Sequence, residues 1–181
     1  MFIGKVLKKI FLHQLNTNIQ IYCKKEHYGT EYGGWVVCPT IVNKDNIVYS
    51  CGVGEDISFD LELIAKFGCN VYAFDPTPKS IKWIRFQKLP KEFHFYEYGI
   101  ADYDGTATFY PPKNPNYASY TIIPQKLGPQ KNIVASVFRL KTIMKILKHT
   151  KIDILKIDIE GAEYAVIKDA IKSNIKIVTA I

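Results

Sequence analysis

The sequence predicts an α/β fold with a mainly parallel sheet and helices that flank it. From residue 46 onward, short apolar runs alternate with helix-like segments, which is the pattern of parallel strands joined by crossover helices. The length of 181 residues is typical of one domain. The composition, with 48% hydrophobic and 23% charged residues, is that of a folded chain and excludes a disordered or collagen-like one.

The pattern predicts five core strands and four helices. The strands are predicted at 47–50, 70–74, 93–98, 152–158 and 175–181. The helices are predicted at 57–67, 78–88, 141–148 and 162–171. Gly68 is placed to end the first helix, and Pro78 to begin the second after the capping residue Thr77.

Two further features lie between the third and fourth strands. Asp104–Gly105 is a turn signal, which predicts a hairpin arm with a strand at 106–110. The proline-rich stretch 111–131 predicts a long ordered loop, and such loops in compact domains often form lids or binding surfaces. An extended piece at 134–140 leads into the third helix.

The first 45 residues differ from the rest in pattern. Residues 3–15 place apolar side chains at helical spacing and lysines on the other face, which predicts a short basic amphipathic helix followed by a lead-in segment. Packing of this helix on the body and weak contact with an anionic membrane surface both fit that pattern. We therefore divide the chain into an N-terminal segment, 1–45, and a ligand-binding domain, 46–181.

The net charge of +7 is concentrated near the N-terminus. Residues 1–25 hold five lysines and no acid, and the remainder is nearly neutral, with Arg85 and Arg139 as its arginines. This distribution argues against nucleic acid as a partner. No apolar run approaches the roughly 20 residues that cross a bilayer, and no secretory signal is evident, so we expect a cytoplasmic protein whose four cysteines are reduced.

A glycine-containing turn, Gly52-Val53-Gly54, joins the first strand to the first helix. Small residues there let a ligand approach the main chain, and the following helix directs free amides towards it. Asp75 follows the second strand 21 residues after Gly54, where a carboxylate can accept hydrogen bonds from both ribose hydroxyls. This pair predicts a nucleoside-containing cofactor. An ordinary turn and a helix-capping aspartate are the alternative.

The charge of the turn bears on the identity of the cofactor. Glu55 and Asp56 stand where the pyrophosphate of a dinucleotide would lie, and carboxylates repel phosphates. S-adenosylmethionine has no phosphate, and its ammonium and sulfonium groups are positive, so the acids favour it. Alternatively, the two acids stabilise the N-terminus of the following helix. A nicotinamide-dependent oxidoreductase stays as the alternative function.

Asp158 and Glu160 follow the fourth strand at the edge where open α/β folds bind ligands. Residues two apart in a strand project to the same side, so we expect both carboxylates beside the reacting group. One of them would orient or deprotonate an attacking hydroxyl, or both would hold a divalent metal through oxygen. The alternative is that Glu160 and Glu163 offset the helix dipole, and we assign Glu163 that structural role.

Several of these motifs resemble the FkbM-type S-adenosylmethionine-dependent methyltransferases from about Ile47 onward. The matching segments are Leu155-Lys156-Ile157-Asp158-Ile159-Glu160-Gly161-Ala162-Glu163, Gly99-Ile100-Ala101-Asp102-Tyr103-Asp104-Gly105-Thr106, Gly52-Val53-Gly54-Glu55-Asp56-Ile57-Ser58-Phe59-Asp60 and Phe74-Asp75-Pro76-Thr77-Pro78. The resemblance implies a Rossmann-like class I methyltransferase fold. It also implies methyl transfer, commonly to oxygen on a sugar or a polyketide-like product.

The resemblance assigns cofactor-binding roles residue by residue. It implies that Gly52, Gly54 and Asp75 hold the glycine turn and the ribose, and that Ala101 and Asp102 lie near the adenine. The family often has an acid at the position of Ser50 and a glycine at that of Asp56, so the methionine end would be held differently here. We expect Ser50, Glu55 and Asp56 to line this part of the site.

The expected reaction is O-methylation of a sugar, glycan or small hydroxylated metabolite, with Asp158 and Glu160 as catalytic residues. The family fold has two strands after the fifth, so the domain 46–181 is expected to be truncated there. A non-catalytic cofactor-binding fragment is therefore a further alternative. Around the proline-rich loop, the aromatic residues Tyr110, Tyr117 and Tyr120, with Ser119 and Asn114, would offer either a platform for a sugar or packing for the loop.

Overall fold

A computed structural model describes residues 22–114, 117–124 and 131–181 of the chain. The predicted basic helix at 3–15, with its membrane contact, lies outside these residues. In chain order the elements are β1 (Glu26–Tyr28), β2 (Trp35–Val37), a 3-10 turn (Pro39–Ile41), β3 (Ile47–Cys51), α1 (Ser58–Phe67), β4 (Asn70–Phe74), α2 (Pro78–Ile84), β5 (Phe93–Tyr96), β6 (Gly99–Ile100), β7 (Gly105–Phe109), β8 (Ile133–Phe138), α3 (Leu140–Leu147), β9 (Ile152–Ile157), α4 (Glu163–Lys172) and β10 (Ile177–Ala180).

The main sheet has five parallel strands in the order β10-β9-β3-β4-β5. The chain builds outward from β3 through β4 to β5, and then returns to the other side of β3 with β9. Strand order therefore reverses between β3 and β9, and ligands of open α/β sheets bind at such a switch point, beyond the carboxyl ends of the strands. The main sheet confirms the predicted fold class.

Helices cover both faces of this sheet because side chains alternate along its strands. Val48 of β3 and Ile154 of β9 belong to a buried cluster on the face of α1 and α2. Their neighbours Tyr49 and Leu155 belong to a second cluster, on the face of α3 and α4. Each fully buried aliphatic side chain contributes about 1.5–3 kcal/mol, so the two clusters fix the strands that carry the site.

A smaller three-stranded sheet, in the order β6-β8-β7, corrects the predicted hairpin. The turn at Asp104–Gly105 does not join two paired strands, because β8 lies between β6 and β7 and pairs in parallel with one and antiparallel with the other. The Asp104 carboxylate instead accepts hydrogen bonds from the Arg139 amide at 2.8 Å and the Thr142 hydroxyl at 2.7 Å. The turn thus anchors the start of α3.

Several element boundaries also differ from the prediction. The second helix ends at Ile84 rather than near residue 88, and the third strand ends at Tyr96 rather than Tyr98. Gly68 adopts the left-handed conformation, with φ of 69°, and ends α1 as predicted. Among the described residues, none of the helices combines the length and the apolar character that crossing a membrane requires.

Candidate functional site

A cavity of about 500 Å³ lies at the carboxyl ends of the main sheet. This volume falls within the range of small-molecule sites, about 300–1,000 Å³. Its walls come from the segments after β3, β4 and β9, from β6, from the turn before β2 and from the loop at 117–122. The cavity therefore occupies the switch point between β3 and β9.

The glycine turn forms the floor of the cavity and touches the segment after β9. Gly52 has φ of 84°, and a Cβ atom built there would lie 1.8 Å from the carbonyl oxygen of Asp158. The Asp158 amide in turn donates a 2.9 Å hydrogen bond to the Cys51 carbonyl oxygen. Gly54 has φ of 59° and open space at its Cβ position. Both positions favour glycine because φ is positive. At Gly52 the close approach of the Asp158 main chain is a second reason.

Asp75 ties the glycine turn to the end of β4. Its Oδ2 accepts hydrogen bonds from the amides of Val53 and Gly54, each at 3.0 Å. Its Oδ1 accepts from the Thr77 amide at 2.8 Å and from the Thr77 hydroxyl at 2.6 Å. The side chain lines the cavity but is 5% exposed. In this structure the carboxylate positions the turn, and the ribose contact inferred from the sequence stays a prediction.

Glu55 and Asp56 both line the cavity. Glu55 forms a 2.8 Å ion pair with Lys79 of α2. Asp56 accepts hydrogen bonds from the Thr30 hydroxyl at 2.6 Å and from the Ser58 amide at 2.7 Å. Burial opposes ionisation of Asp56, but the hydrogen bonds from Ser58 and Thr30 outweigh it and hold its pKa below the usual value. Asp56 therefore combines a helix-start role with a place in the cavity wall.

Asp158 and Glu160 both reach the cavity, although not by strand alternation. Strand β9 ends at Ile157, so both acids lie in the loop that follows, and Glu160 has φ of 55°. The Thr121 hydroxyl donates a hydrogen bond to the Glu160 carbonyl oxygen, which joins this loop to the loop at 117–122. The expectation that strand alternation brings the two carboxylates to the same side is therefore wrong, but both residues line the same cavity.

Glu163 has the structural role that the sequence indicates. Its Oε1 accepts a 2.9 Å hydrogen bond from the Ile159 amide, and its Oε2 accepts one of 2.8 Å from the Gly161 amide. These bonds satisfy donors in the turn before α4 and hold the loop that carries Glu160. Among the described residues, no group of three or more His, Cys, Asp or Glu side chains has an arrangement that could hold a metal ion.

Three predicted cofactor-binding residues do not line the cavity among the described residues. Ser50 is fully buried in β3, where its side chain favours the ionised form of the buried Asp60 carboxyl. Ala101 is buried in the small sheet's core, and Asp102 is exposed beside it. Strand alternation explains why Ser50 does not line the cavity: its side chain lies on the same face of the sheet as that of Val48, the face covered by α1. Gly99 and Ile100 line the cavity in place of Ala101 and Asp102.

The structure adds residues that the sequence reasoning missed. The segment Tyr32–Trp35, part of the predicted lead-in, forms one wall of the cavity. Lys156 of β9 also lines it, with 5% exposure, and its Nζ donates a hydrogen bond to the Gly52 carbonyl oxygen. A lysine between the apolar residues Leu155 and Ile157 of the strand was the available signal, because lysine is rarely buried without a partner.

The proline-rich loop forms the remaining wall. Tyr117, Ser119 and Tyr120 line the cavity, and Tyr117 is 59% exposed at its mouth. The amide of Tyr110 donates a 2.8 Å hydrogen bond to the Thr121 carbonyl oxygen, and the Thr121 amide returns one of 3.1 Å. The described part of the loop is thus held against the end of β7, and the order of the whole stretch 111–131 stays a prediction.

The fold and the cavity together define an α/β protein with a cavity of small-molecule size at its switch point. The chain belongs to the methyltransferase FkbM domain family, whose model matches residues 31–180. It is 30% identical over 135 residues to the human protein "Probable methyltransferase-like protein 24", a match that covers 75% of this chain and 31% of that protein. The chain therefore spans about a third of the length of this curated relative. No solved structure matches. These findings confirm the resemblance.

Proposed function

We propose that this chain is an S-adenosylmethionine-dependent methyltransferase that methylates a hydroxyl oxygen of a sugar, a glycan or a small hydroxylated metabolite. The observation that carries the proposal is the charge of the cavity at the β3–β9 switch point. Its described lining holds five carboxylic acid residues and, as its basic residue, Lys156: the acids are Glu55, Asp56, Asp75, Asp158 and Glu160.

This charge balance fits S-adenosylmethionine better than a dinucleotide. A pyrophosphate would bring two further negative charges to a cavity that is already acidic, whereas sulfonium and ammonium groups bring positive ones. The glycine turn supplies a floor without side chains, since Gly52 and Gly54 leave the main chain open to a ligand. Glu55 and Asp56 therefore disfavour the nicotinamide-dependent alternative.

Three segments would hold the cofactor. Gly52 and Gly54 offer the main-chain surface, Asp75 keeps that surface in place, and Gly99 and Ile100 provide an apolar wall suited to an adenine ring. S-adenosylmethionine supplies an electrophilic methyl group attached to a sulfonium sulfur. The protein contributes mainly by holding the acceptor oxygen at near-attack distance and in line with that methyl group.

Asp158 and Glu160 are the proposed catalytic residues. Both lie in the loop after β9 and line the cavity, and the main chain of Asp158 also contacts the glycine turn. One carboxylate would accept a hydrogen bond from the acceptor hydroxyl and take its proton as the new carbon–oxygen bond forms. Glu163 and Thr121 hold the loop that carries them, so the acids are positioned before a substrate arrives.

The wall formed by Tyr117, Ser119 and Tyr120 is the proposed acceptor surface. Its three side chains line the cavity, and that of Tyr117 is largely exposed to solvent. Aromatic rings pack against the apolar face of a sugar, while hydroxyl groups hydrogen-bond to its edge. This combination favours a sugar or a similarly hydroxylated molecule as acceptor.

A methyl-transfer screen tests the proposal. The full chain is incubated with S-adenosylmethionine carrying a deuterated methyl group and a panel of monosaccharides, oligosaccharides and small alcohols, and products are analysed by mass spectrometry. We expect an isotopically labelled methyl ether on at least one acceptor and none with Asp158→Asn. Cofactor binding without transfer to any acceptor would favour the non-catalytic alternative, and transfer to nitrogen would overturn the oxygen assignment.

A further inference from the structure

The acidic cavity contains one basic side chain among its described lining residues, that of Lys156. Its position is set by the sheet, because Lys156 is the direct register partner of Ser50 across the β3–β9 pair. Both residues therefore share the sheet face that packs against α1. The lysine side chain reaches from there to the carboxyl edge, where it lines the cavity beneath the glycine turn.

The contacts of Lys156 leave its charge without a described ion pair. Its Nζ donates to the Gly52 carbonyl oxygen and lies 5.9 Å from the centre of the Trp35 ring. An ammonium group has three N–H donors, so one carbonyl and a ring face do not exhaust it. Among the described ion pairs none includes Lys156, although the side chain is only 5% exposed.

A buried ammonium group is costly unless an anion compensates it. The positive charge of Lys156 favours the ionised form of Asp56 in the cavity wall, and it also opposes the effect of burial on the ionisation of Asp60 of α1. That acid is 1% exposed and does not line the cavity among the described residues. An anionic group of a ligand in the cavity would therefore bind at Lys156, the basic side chain of the described lining.

We propose that Lys156 binds the α-carboxylate of the methionine part of S-adenosylmethionine. The inference rests on the proposed function, since it assigns one residue to one group of that cofactor. The surrounding acids suit the sulfonium and ammonium groups but repel a carboxylate, so the carboxylate needs a separate cation. Lys156 also links this contact to the turn, because the same ammonium holds the Gly52 carbonyl.

The test compares S-adenosylmethionine with its decarboxylated analogue, which keeps the adenosine, the sulfonium and the ammonium. Calorimetric titration of the full chain is expected to show a dissociation constant about 10- to 100-fold lower for S-adenosylmethionine, the range of a charge-assisted hydrogen bond. Lys156→Met should remove this preference, and Lys156→Arg should keep part of it. Lys151→Met is the matched control, because Lys151 precedes the opposite end of β9 and pairs with Asp153 at 2.6 Å.

The outcomes separate three situations. A preference in the wild-type chain that disappears in Lys156→Met supports the carboxylate contact. Equal affinity for the two compounds in the wild-type chain overturns it, as does an equal loss of both affinities in a folded Lys156→Met variant, which would make Lys156 a support for the turn. Failure of the wild-type chain to bind either compound overturns the proposed function itself. Thermal unfolding of each variant verifies folding, and the wild-type comparison stands even if Lys156→Met does not fold.

Discussion

Gly52 and Asp158 are in main-chain contact just beyond the carboxyl ends of the paired strands β3 and β9. A Cβ atom on Gly52 would lie 1.8 Å from the carbonyl oxygen of Asp158. The turn that forms the cavity floor and the loop that carries the proposed catalytic acids are therefore packed against each other with no space for a side chain. Movement of one segment must displace the other, so the cofactor surface and the acids are positioned together.

Replacement of the two turn glycines by alanine should have unequal effects. Gly54→Ala meets no neighbouring atom and should cost about 1–2 kcal/mol of unfolding free energy, because alanine is strained at φ of 59°. In Gly52→Ala the new methyl group would also collide with main-chain atoms, so the loss of unfolding free energy should be clearly larger. We also expect this variant to bind the cofactor more weakly. Chemical denaturation of both variants measures the difference. Equal stability losses would show that the Gly52–Asp158 approach is not maintained in solution.

Asp75→Asn should loosen the glycine turn. The substitution turns one acceptor oxygen into an NH₂ donor, which would face either the amides of Val53 and Gly54 or the two donors of Thr77. We expect a loss of about 1–3 kcal/mol in unfolding free energy and weaker cofactor binding. Asp45→Asn is the control, since Asp45 is exposed and pairs with Lys44.

A ligand comparison separates the two roles of Asp75. If the carboxylate also contacts the ribose, the wild-type chain should prefer S-adenosylhomocysteine over its 2′-deoxy analogue, and Asp75→Asn should reduce that preference. If Asp75 acts through the turn alone, the preference is the same in both chains. Unchanged stability and unchanged affinity in Asp75→Asn would contradict both roles.

Glu160→Gln should separate chemistry from binding. The amide keeps the shape of the side chain but cannot take a proton, so we expect turnover to fall about 10²- to 10⁴-fold with little change in cofactor affinity. Glu163→Gln is the contrast: it weakens the bonds to Ile159 and Gly161 and should lower the unfolding free energy by about 1 kcal/mol. Full turnover in Glu160→Gln would remove Glu160 from the mechanism and leave Asp158 as the candidate.

Asp60 should make stability depend on pH. Burial raises the pKa of this carboxyl to about 6, against the opposing effect of the Lys156 charge, while Asp56 nearby adds to the increase. At a pH below the pKa that Asp60 has in the unfolded state, Asp60 is protonated in both states, and its burial does not lower the stability. As pH rises from about 4 to 6 the unfolded state releases its proton first, so stability falls. Denaturation curves should show this fall in the wild-type chain and a smaller one in Asp60→Asn. An identical slope in both chains would contradict the assignment.

The order of strands and helices in the main sheet could be predicted because its signals are local. The apolar runs at 47–50 and 70–74 lie within one residue of the observed strands, and Gly68 ends α1 as expected. Pairing between distant segments had no such signal. The partner of β7 is β8, which follows it after a long loop, so the turn at Asp104–Gly105 suggested the wrong neighbour.

The sequence predicted the cavity residues that directly follow a strand end. It missed those whose position depends on packing between segments that are distant in the chain. Gly52 and Asp158 line the cavity because they come directly after the carboxyl ends of β3 and β9. Ser50 does not, since one residue of register turns its side chain to the α1 face. Trp35 and Lys156 reach the cavity through the hairpin turn and a long side chain, neither of which spacing in the sequence reveals.

The most direct measurement is a calorimetric titration of the full chain with S-adenosylhomocysteine and, separately, with reduced nicotinamide adenine dinucleotide. The acidic cavity predicts saturable binding of the first compound at one site, competition by S-adenosylmethionine, and no binding of the second. Binding of the dinucleotide in preference to the adenosyl compound would contradict the electrostatic basis of the account.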